Sequence, residues 1–247
     1  MKDLLAIAKI TAYNVRDILI KKSSEQLAVI HKDKKDIKLA ADTIAHNYII
    51  DALGQTKIPI FSEESNNIED FNLNEYQWIV DPLDGTLNYY RGFNMSAVSI
   101  SLWKNSDPKI GVIAPVFSND IYFAEKGKGA WKNDGKIFVS KVNRKENAVL
   151  TTGFPIGRNY TEDSLLKTLQ NISEYKKVRM IGSAAMMLTM VASGIFDAYE
   201  EEDIFIWDIA AGLLLVEEAG GYFFAEKNSS QVKYNVKASN KYLFNIL

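Results

Sequence analysis

One stretch constrains this chain more than any other: Trp78-Ile79-Val80-Asp81-Pro82-Leu83-Asp84-Gly85-Thr86. Three apolar residues suited to a strand run straight into a tight acidic turn. Proline locks its own φ and has no N–H to give, so the ladder is expected to stop at Pro82. Two carboxylates three residues apart on such a turn face one point. Gly85 lets backbone approach a ligand closely, and Thr86 supplies a hydroxyl. If a helix starts at Thr86, the amides of Gly85 and Thr86 also favour an anion. Two unit charges about 4 Å apart repel by about 4 kcal/mol at an effective dielectric of 20. A carboxylate pair beside an anion-binding turn is therefore consistent only with a cation between them. Mg²⁺, which takes one or two carboxylates together with phosphate oxygens, fits that need. Asp, Pro and Gly also build ordinary turns, so this stretch alone leaves a plain acidic turn open.

Composition removes other chemistries. The 247 residues include no cysteine and only two histidines, His31 and His46. Disulfides, thiolate metal sites and cysteine nucleophiles are excluded. A site built on three histidines is also excluded, and one needing a histidine pair would consume both. A net charge of -2 provides no field for nucleic acid or an anionic membrane. The sequence has neither a P-loop nor a G-x-S-x-G elbow, and its acids stand three apart rather than in the D-x-D spacing of aspartyl-phosphate enzymes. The longest uncharged stretch, 182–196, is 15 residues and falls short of a bilayer span. The N-terminal segment lacks the features of a signal peptide, so a cytoplasmic protein is expected.

The remaining pattern is mixed. Apolar positions at helical spacing (Leu4, Ala8, Thr11, Val15, Ile18; then Ala41, Ala45, Tyr48 or Ile49, Ala52) predict two N-terminal helices joined by an exposed lysine-rich loop over 21–35. Lys32, Lys34 and Lys35 read as a solvated charge run, and neither histidine receives a role. Short strands are expected over 58–61, 77–80, 96–103, 110–116 and 121–125. The second half alternates: strands over 148–152, 177–180 and 196–200, with helices over 162–175, 184–192 and 207–219. An α+β chain follows, a layered mixture in two closely packed halves, 1–140 and 141–247.

Two further acidic points complete the pattern. Glu63-Glu64 follows the short apolar run ending at Phe61-Ser62, and Asp208 falls in the first turn of an apolar helix, where the dipole favours it. Taken singly, these read as a surface pair and a helix cap. Taken in order, Glu63-Glu64, Asp81-Pro82-Leu83-Asp84-Gly85-Thr86 and Trp207-Asp208 with Glu218-Ala219-Gly220-Gly221 resemble the three signatures of the inositol monophosphatase superfamily. Gly127-Lys128-Gly129-Ala130-Trp131, Thr152-Gly153-Phe154-Pro155 and Gly182-Ser183-Ala184-Ala185 extend the resemblance over nearly the whole chain. Ser62, Leu87 and Tyr89 depart from the commonest pattern.

The resemblance implies an αβαβα sandwich of the sugar-phosphatase type and a Mg²⁺-dependent, lithium-sensitive phosphomonoesterase. It implies that Glu63, Asp81 and the Leu83 carbonyl hold one ion and that Asp81, Asp84 and Asp208 hold a second, with a third, weaker ion near Glu63. Catalytic roles fall to Glu63 and to Thr86 paired with Asp42. Substrate contacts fall to Asp84, Gly85, Thr86, Gly182, Ser183, Ala184 and Glu201. The expected substrate is a small polyol or sugar monophosphate such as inositol 1-phosphate, because an acidic Glu201 repels a second phosphate. A 3'(2'),5'-bisphosphate nucleotidase and a histidinol-phosphatase stand as alternatives in the same superfamily. A non-catalytic partner of the transcription machinery stands as one of another class. A homodimer, with neither direct nucleic-acid nor membrane contact, completes the expectation.

Overall fold

Two amphipathic helices open the chain: α1 (Lys2–Ser23) and α2 (Ala40–Gly54). In this computed structural model the described residues are 1–23, 29–32, 37–64, 69, 71–155, 160–228 and 230–245. α1 buries Ala8, Thr11, Ala12, Val15 and Leu19, and α2 buries Ala41, Ala45, Ile49 and Leu53. The buried stripes are those expected, rotated slightly, with Ile18 half-buried beside Leu19. The segment between them differs from the expected loop. Its described part forms β1 (Val29–Lys32), antiparallel to β2 (Ile37–Leu39).

A seven-stranded sheet follows: β3 (Ile60–Ser62), β4 (Gln77–Asp84), β5 (Ala97–Lys104), β6 (Asp107–Pro115), β7 (Tyr122–Glu125), β8 (Ala130–Lys132) and β9 (Gly135–Lys136), in that spatial order. Only the β3–β4 pairing is parallel. A short helix, α3 (Thr86–Arg91), links β4 to β5. Every residue of β4 is buried because the sheet is covered on both faces. Trp78 and Val80 pack toward α1 and α2, while Ile79 packs on the opposite side against the second core. Period-2 alternation thus serves two cores, and the strand reads as an unbroken apolar run.

The second sheet has the order β11-β10-β12-β14-β13, built from β10 (Val149–Thr152), β11 (Lys177–Arg179), β12 (Ala198–Phe205), β13 (Gly221–Lys227) and β14 (Lys233–Asn240). α5 (Ala184–Ala192) and α6 (Ile206–Glu218) are almost wholly apolar and lie between the two sheets. Gly111 permits this close approach: a Cβ there would stand 2.6 Å from the Ala211 carbonyl of α6. Ile172, at the end of α4 (Glu162–Ser173), and Leu243 of α7 (Lys241–Phe244) cover the outer face of the second sheet. The layers run α–β–α–β–α, an α+β arrangement. Two sequence expectations need correction. The β4 ladder does not end at Pro82. It runs on to Asp84 through a bulge, pairing Asp81 with Ser99 and Asp84 with Ala97, so the residue without an N–H sits where the ladder is already broken. β12 extends to Phe205 rather than stopping at residue 200, because β14 pairs with its second half.

Candidate active site

The β4 bulge turns Asp81 and Asp84 toward α6. There, Asp208 projects from the first helical turn. Oxygen atoms of Asp81, Asp84 and Asp208 all lie within 4.8 Å of one another. Asp81 is central, within hydrogen-bond reach of both Glu63 and Asp208. Its Oδ1 also accepts the Leu83 N–H at 2.9 Å, which pins the carboxylate across its own turn. Asp84 and Asp81 are 7% and 1% exposed, Asp208 is half-buried, and Glu63 keeps an open side toward solvent at the end of β3.

Crowding shows in the acid strengths. Burial, then Glu63, Asp84 and Asp208, hold Asp81 well above the usual carboxylate range. Burial, then Asp84, Glu63 and Glu201, raise Asp208 in the same way. Glu63 moves upward too, first by the protein mass around it and then by Asp42, Glu64 and Asp84. Asp84 is pushed up to about 6 by burial, against hydrogen bonds from Ser183 and Ala185 that favour its charged form. A set of hard oxygen donors that cannot all ionise without a counter-charge suits a divalent cation of the Mg²⁺ type.

Thr86 Oγ1 stands 3.2 Å from Asp42 Oδ1 and 3.0 Å from the Leu83 carbonyl. Asp42 is fixed by the Leu39 N–H at 2.7 Å, and burial raises its pKa to about 6. Gly85 has a φ of 81°, and a Cβ there would stand 2.9 Å from the Met95 carbonyl and 3.1 Å from Ser183 Cβ. Only glycine fits this turn without displacing its neighbours. Gly182, Ser183 and Ala184 form the entry to α5, docked by Ser183 Oγ on Asp84 at 2.5 Å. Asn88 Nδ2 holds the same entry through the Ile181 carbonyl at 2.8 Å.

Glu201 is buried at 7% exposure, with Tyr199 OH donating to its Oε2 at 2.8 Å. It contributes to the rise of Asp208 and therefore faces the acidic cluster. Its neighbours alternate outward: Glu200 takes hydrogen bonds from Asn171 and Tyr175, and Glu202 is exposed. A Cβ on Gly153 would fall 2.5 Å from Glu201 Oε1, so Gly153 makes room for this carboxylate.

A cavity of about 230 Å³ opens beside the cluster, at Glu63 and the Asp42–Thr86 pair, and is lined by Lys38, Asp42, Glu63, Glu64, Thr86, Phe205 and Trp207. Sequence reasoning missed three of its features. Lys38 Nζ pairs with Glu64, placing an ammonium at the mouth. His46 Nδ1 lies 3.0 Å from Ser62 Oγ, which also approaches the Glu64 N–H at 3.4 Å, so His46 braces the Glu63-Glu64 turn. Phe205 stacks on Trp207 at a centroid distance of 4.5 Å. His46 carried a signal: it lies one helical turn after Asp42 on α2. Lys34 and Lys35 fall outside the described residues, as do the side chains of His31 and Lys32.

Comparison with known proteins agrees with this geometry. The profile of the inositol monophosphatase family matches residues 1–242. An inositol-1-monophosphatase of Mesorhizobium japonicum is 35% identical over 80% of this chain and 75% of its own length. A Nus factor SuhB of Pseudomonas aeruginosa is 33% identical over 100% of this chain and 95% of its own. Among solved structures, the inositol monophosphatase of Anabaena superposes with a TM-score of 0.84 at 30% identity, covering 99% of this chain and 93% of that one. The extragenic suppressor protein suhB of Bartonella henselae does so at 0.86 and 33%, covering 98% and 95%. With its acidic signatures gathered at one point and its whole length matched, the chain belongs to the inositol monophosphatase family.

Proposed function

We propose that the protein is a Mg²⁺-dependent phosphomonoesterase acting on a small polyol or sugar monophosphate of the inositol 1-phosphate kind. The observation that carries this reading is the convergence of Asp81, Asp84 and Asp208 within 4.8 Å, with Glu63 against Asp81. Asp81, Glu63 and the Leu83 carbonyl would hold one ion and Asp81, Asp84 and Asp208 the other, so each half of the chain, 1–140 and 141–247, supplies part of the cage. When bound, the ions supply Lewis acidity that activates water and shields the leaving oxygen.

The chain's own groups do the rest. Gly85 and Thr86 amides orient the phosphoryl group. The Thr86 hydroxyl donates a hydrogen bond to Asp42, leaving its lone pairs to accept from the attacking water. Glu63, with its carboxylate next to Asp81 and one side open, takes the proton that this water loses. Glu201 accepts hydrogen bonds from substrate hydroxyls, and its charge disfavours a second phosphate. Gly182, Ser183 and Ala184 border the substrate beside Gly85, where a Cβ would stand 3.1 Å from Ser183 Cβ.

The test is phosphate release, with and without Mg²⁺ and with added lithium, from inositol 1-phosphate, histidinol phosphate, fructose 1,6-bisphosphate and 3'-phosphoadenosine 5'-phosphate. The monophosphate of the polyol should turn over fastest. Preference for either doubly phosphorylated compound would refute the role given to Glu201. Loss of all four activities would sink the enzymatic reading.

A second reading is favoured by one observation: several relatives carry the name Nus factor SuhB. A role beside the transcription machinery is compatible with turnover. Capture by RNA polymerase that survives Asp81→Asn would make the two roles separable. A cytoplasmic homodimer belongs to the main proposal, and sedimentation equilibrium measures its oligomeric state. Among the described residues no helix is long and apolar enough to cross a membrane.

A further inference from the structure

A second cavity, of about 400 Å³, lies at the seam between the two sheets and takes no part in the chemistry above. Its lining comes from segments far apart in sequence: Phe71 and Asn72 before β4, Trp103 at the end of β5, Phe223 and Lys227 on β13, and Tyr234 on β14. Four rings, Phe71, Trp103, Phe223 and Tyr234, share the walls about equally with polar groups, among them Asn72, Asn74 and Lys227. This mixture suits a ligand with an aromatic body and a polar end.

Two of its polar groups, the Tyr234 hydroxyl and the exposed Lys227 ammonium, face the cavity without a hydrogen bond or ion pair to the described residues. Tyr234 is only 9% exposed, yet its hydroxyl makes no hydrogen bond among the described residues. Burial raises its pKa, so the phenol keeps its proton as a donor. The hydroxyl opens into the cavity, where an incoming acceptor can replace the water it would otherwise donate to. Lys227 is the second. Its Nζ stands 5.9 Å from the Phe71 ring centroid, and it meets no carboxylate among the described residues. Lys227 and Tyr234 are direct cross-strand partners of β13 and β14, so their side chains leave the same face side by side.

A neutral hydroxyl donor beside one ammonium matches a carboxylate, which has two acceptor oxygens and a single charge. A phosphate dianion would leave one charge uncovered. We propose that this cavity is a binding site for a planar aromatic carboxylate, its ring against Phe71, Trp103 and Phe223 and its carboxylate shared by the Tyr234 hydroxyl and the Lys227 ammonium. The site shares a wall with the acidic cluster. Phe71 contacts Phe61 at 4.9 Å, and Phe61 contacts Trp207 at 5.7 Å. Phe61 lies two residues before Glu63, and Trp207 immediately precedes Asp208.

The full chain, loaded with Mg²⁺, is titrated with benzoate and with indole-3-acetate, using indole-3-acetamide and acetate as controls, and amide shifts are followed by NMR. Saturable binding of an aromatic acid is expected, with shifts over 223–227 and at Tyr234, and weaker binding of both controls. Tyr234→Phe keeps the ring and removes the donor, and Lys227→Gln removes the charge. Each should weaken the aromatic acid about tenfold while melting as the parent does. Three outcomes overturn the proposal: no saturable binding of either acid, equal binding of indole-3-acetamide, or shifts confined to the Asp81, Asp84 and Asp208 region. Parent-like affinity in both variants would overturn it as well.

Discussion

Asp84 and Ser183, 99 residues apart, are joined by a hydrogen bond of 2.5 Å from the serine hydroxyl to the Asp84 carboxylate, and the Ala185 N–H reaches the same oxygen at 2.7 Å. Ser183 also caps α5 by accepting the Met186 N–H. One side chain therefore sets both the start of a core helix and the orientation of a candidate metal ligand. Ser183→Ala should cost about 1–3 kcal/mol through the lost cap and the lost bond to a carboxylate. It should also weaken Mg²⁺ binding. Thermal melts with and without Mg²⁺ check both, and parent-like behaviour in each would contradict the link.

Asp81→Asn separates function from stability. It removes a ligand proposed for both ions, so turnover should fall almost to nothing. It also takes a charge out of a buried group crowded by Glu63, Asp84 and Asp208. The metal-free variant should then melt above the metal-free parent. Near-parent turnover would end the metal-cage proposal, and a lower melting point would show that Asp81 is not under electrostatic stress.

The pH dependence of the metal-free protein should slope opposite to that of most proteins. Asp42 and Asp84 both sit at about 6 when folded, against an ordinary value of 3.8. Between those values the folded state holds more protons than the unfolded one. Stability therefore falls as pH rises from about 4 to 6, and the raised Glu63, at about 8, with Asp81 and Asp208 carries the fall further. Asp42 and Asp84 each contribute at most about 3 kcal/mol to that fall. Urea melts in EDTA at about pH 5 and about pH 8 measure it. Mg²⁺ should reverse the slope by favouring the ionised carboxylates.

Lys38 pairs with Glu64 but is 41% exposed, so its effect should be small. Lys38→Met frees Glu64 and removes a positive charge from the mouth. Mg²⁺ affinity should rise by less than about fivefold, while KM for a phosphorylated substrate increases. Isothermal titration and steady-state kinetics report the two effects separately. A fall in Mg²⁺ affinity would count against this view of the ammonium.

His46→Ala removes the brace on Ser62. The Glu63-Glu64 turn should loosen, and Mg²⁺ binding should weaken more than the fold does. His46→Gln, able to hydrogen-bond from a similar position, should recover part of the affinity. Equal losses in both variants would make His46 a packing residue only.

Much of this was written locally. The unbroken apolar run into Asp81 announced a doubly covered strand, the spacing of Ala8, Thr11 and Val15 announced α1, and Gly85 marked a turn that a side chain would obstruct. These are matters of period and backbone sterics, settled over a few residues. β14 carried a signal that went unread, since Lys233-Tyr234-Asn235-Val236-Lys237-Ala238 alternates polar with apolar and its burial alternates with it. The Tyr222-Phe223-Phe224 run of β13 gives no such alternation. The pairings of Lys38 with Glu64, His46 with Ser62 and Asp84 with Ser183 were likewise invisible. Each joins groups on elements that meet only after the sheets close around α5 and α6. Sequence alone determined which residues carry charge, which faces are apolar and where the backbone turns. The tertiary structure alone decided which charges face one another and how far each is withdrawn from water, because Coulomb energy and desolvation depend on distance through space, not along the chain.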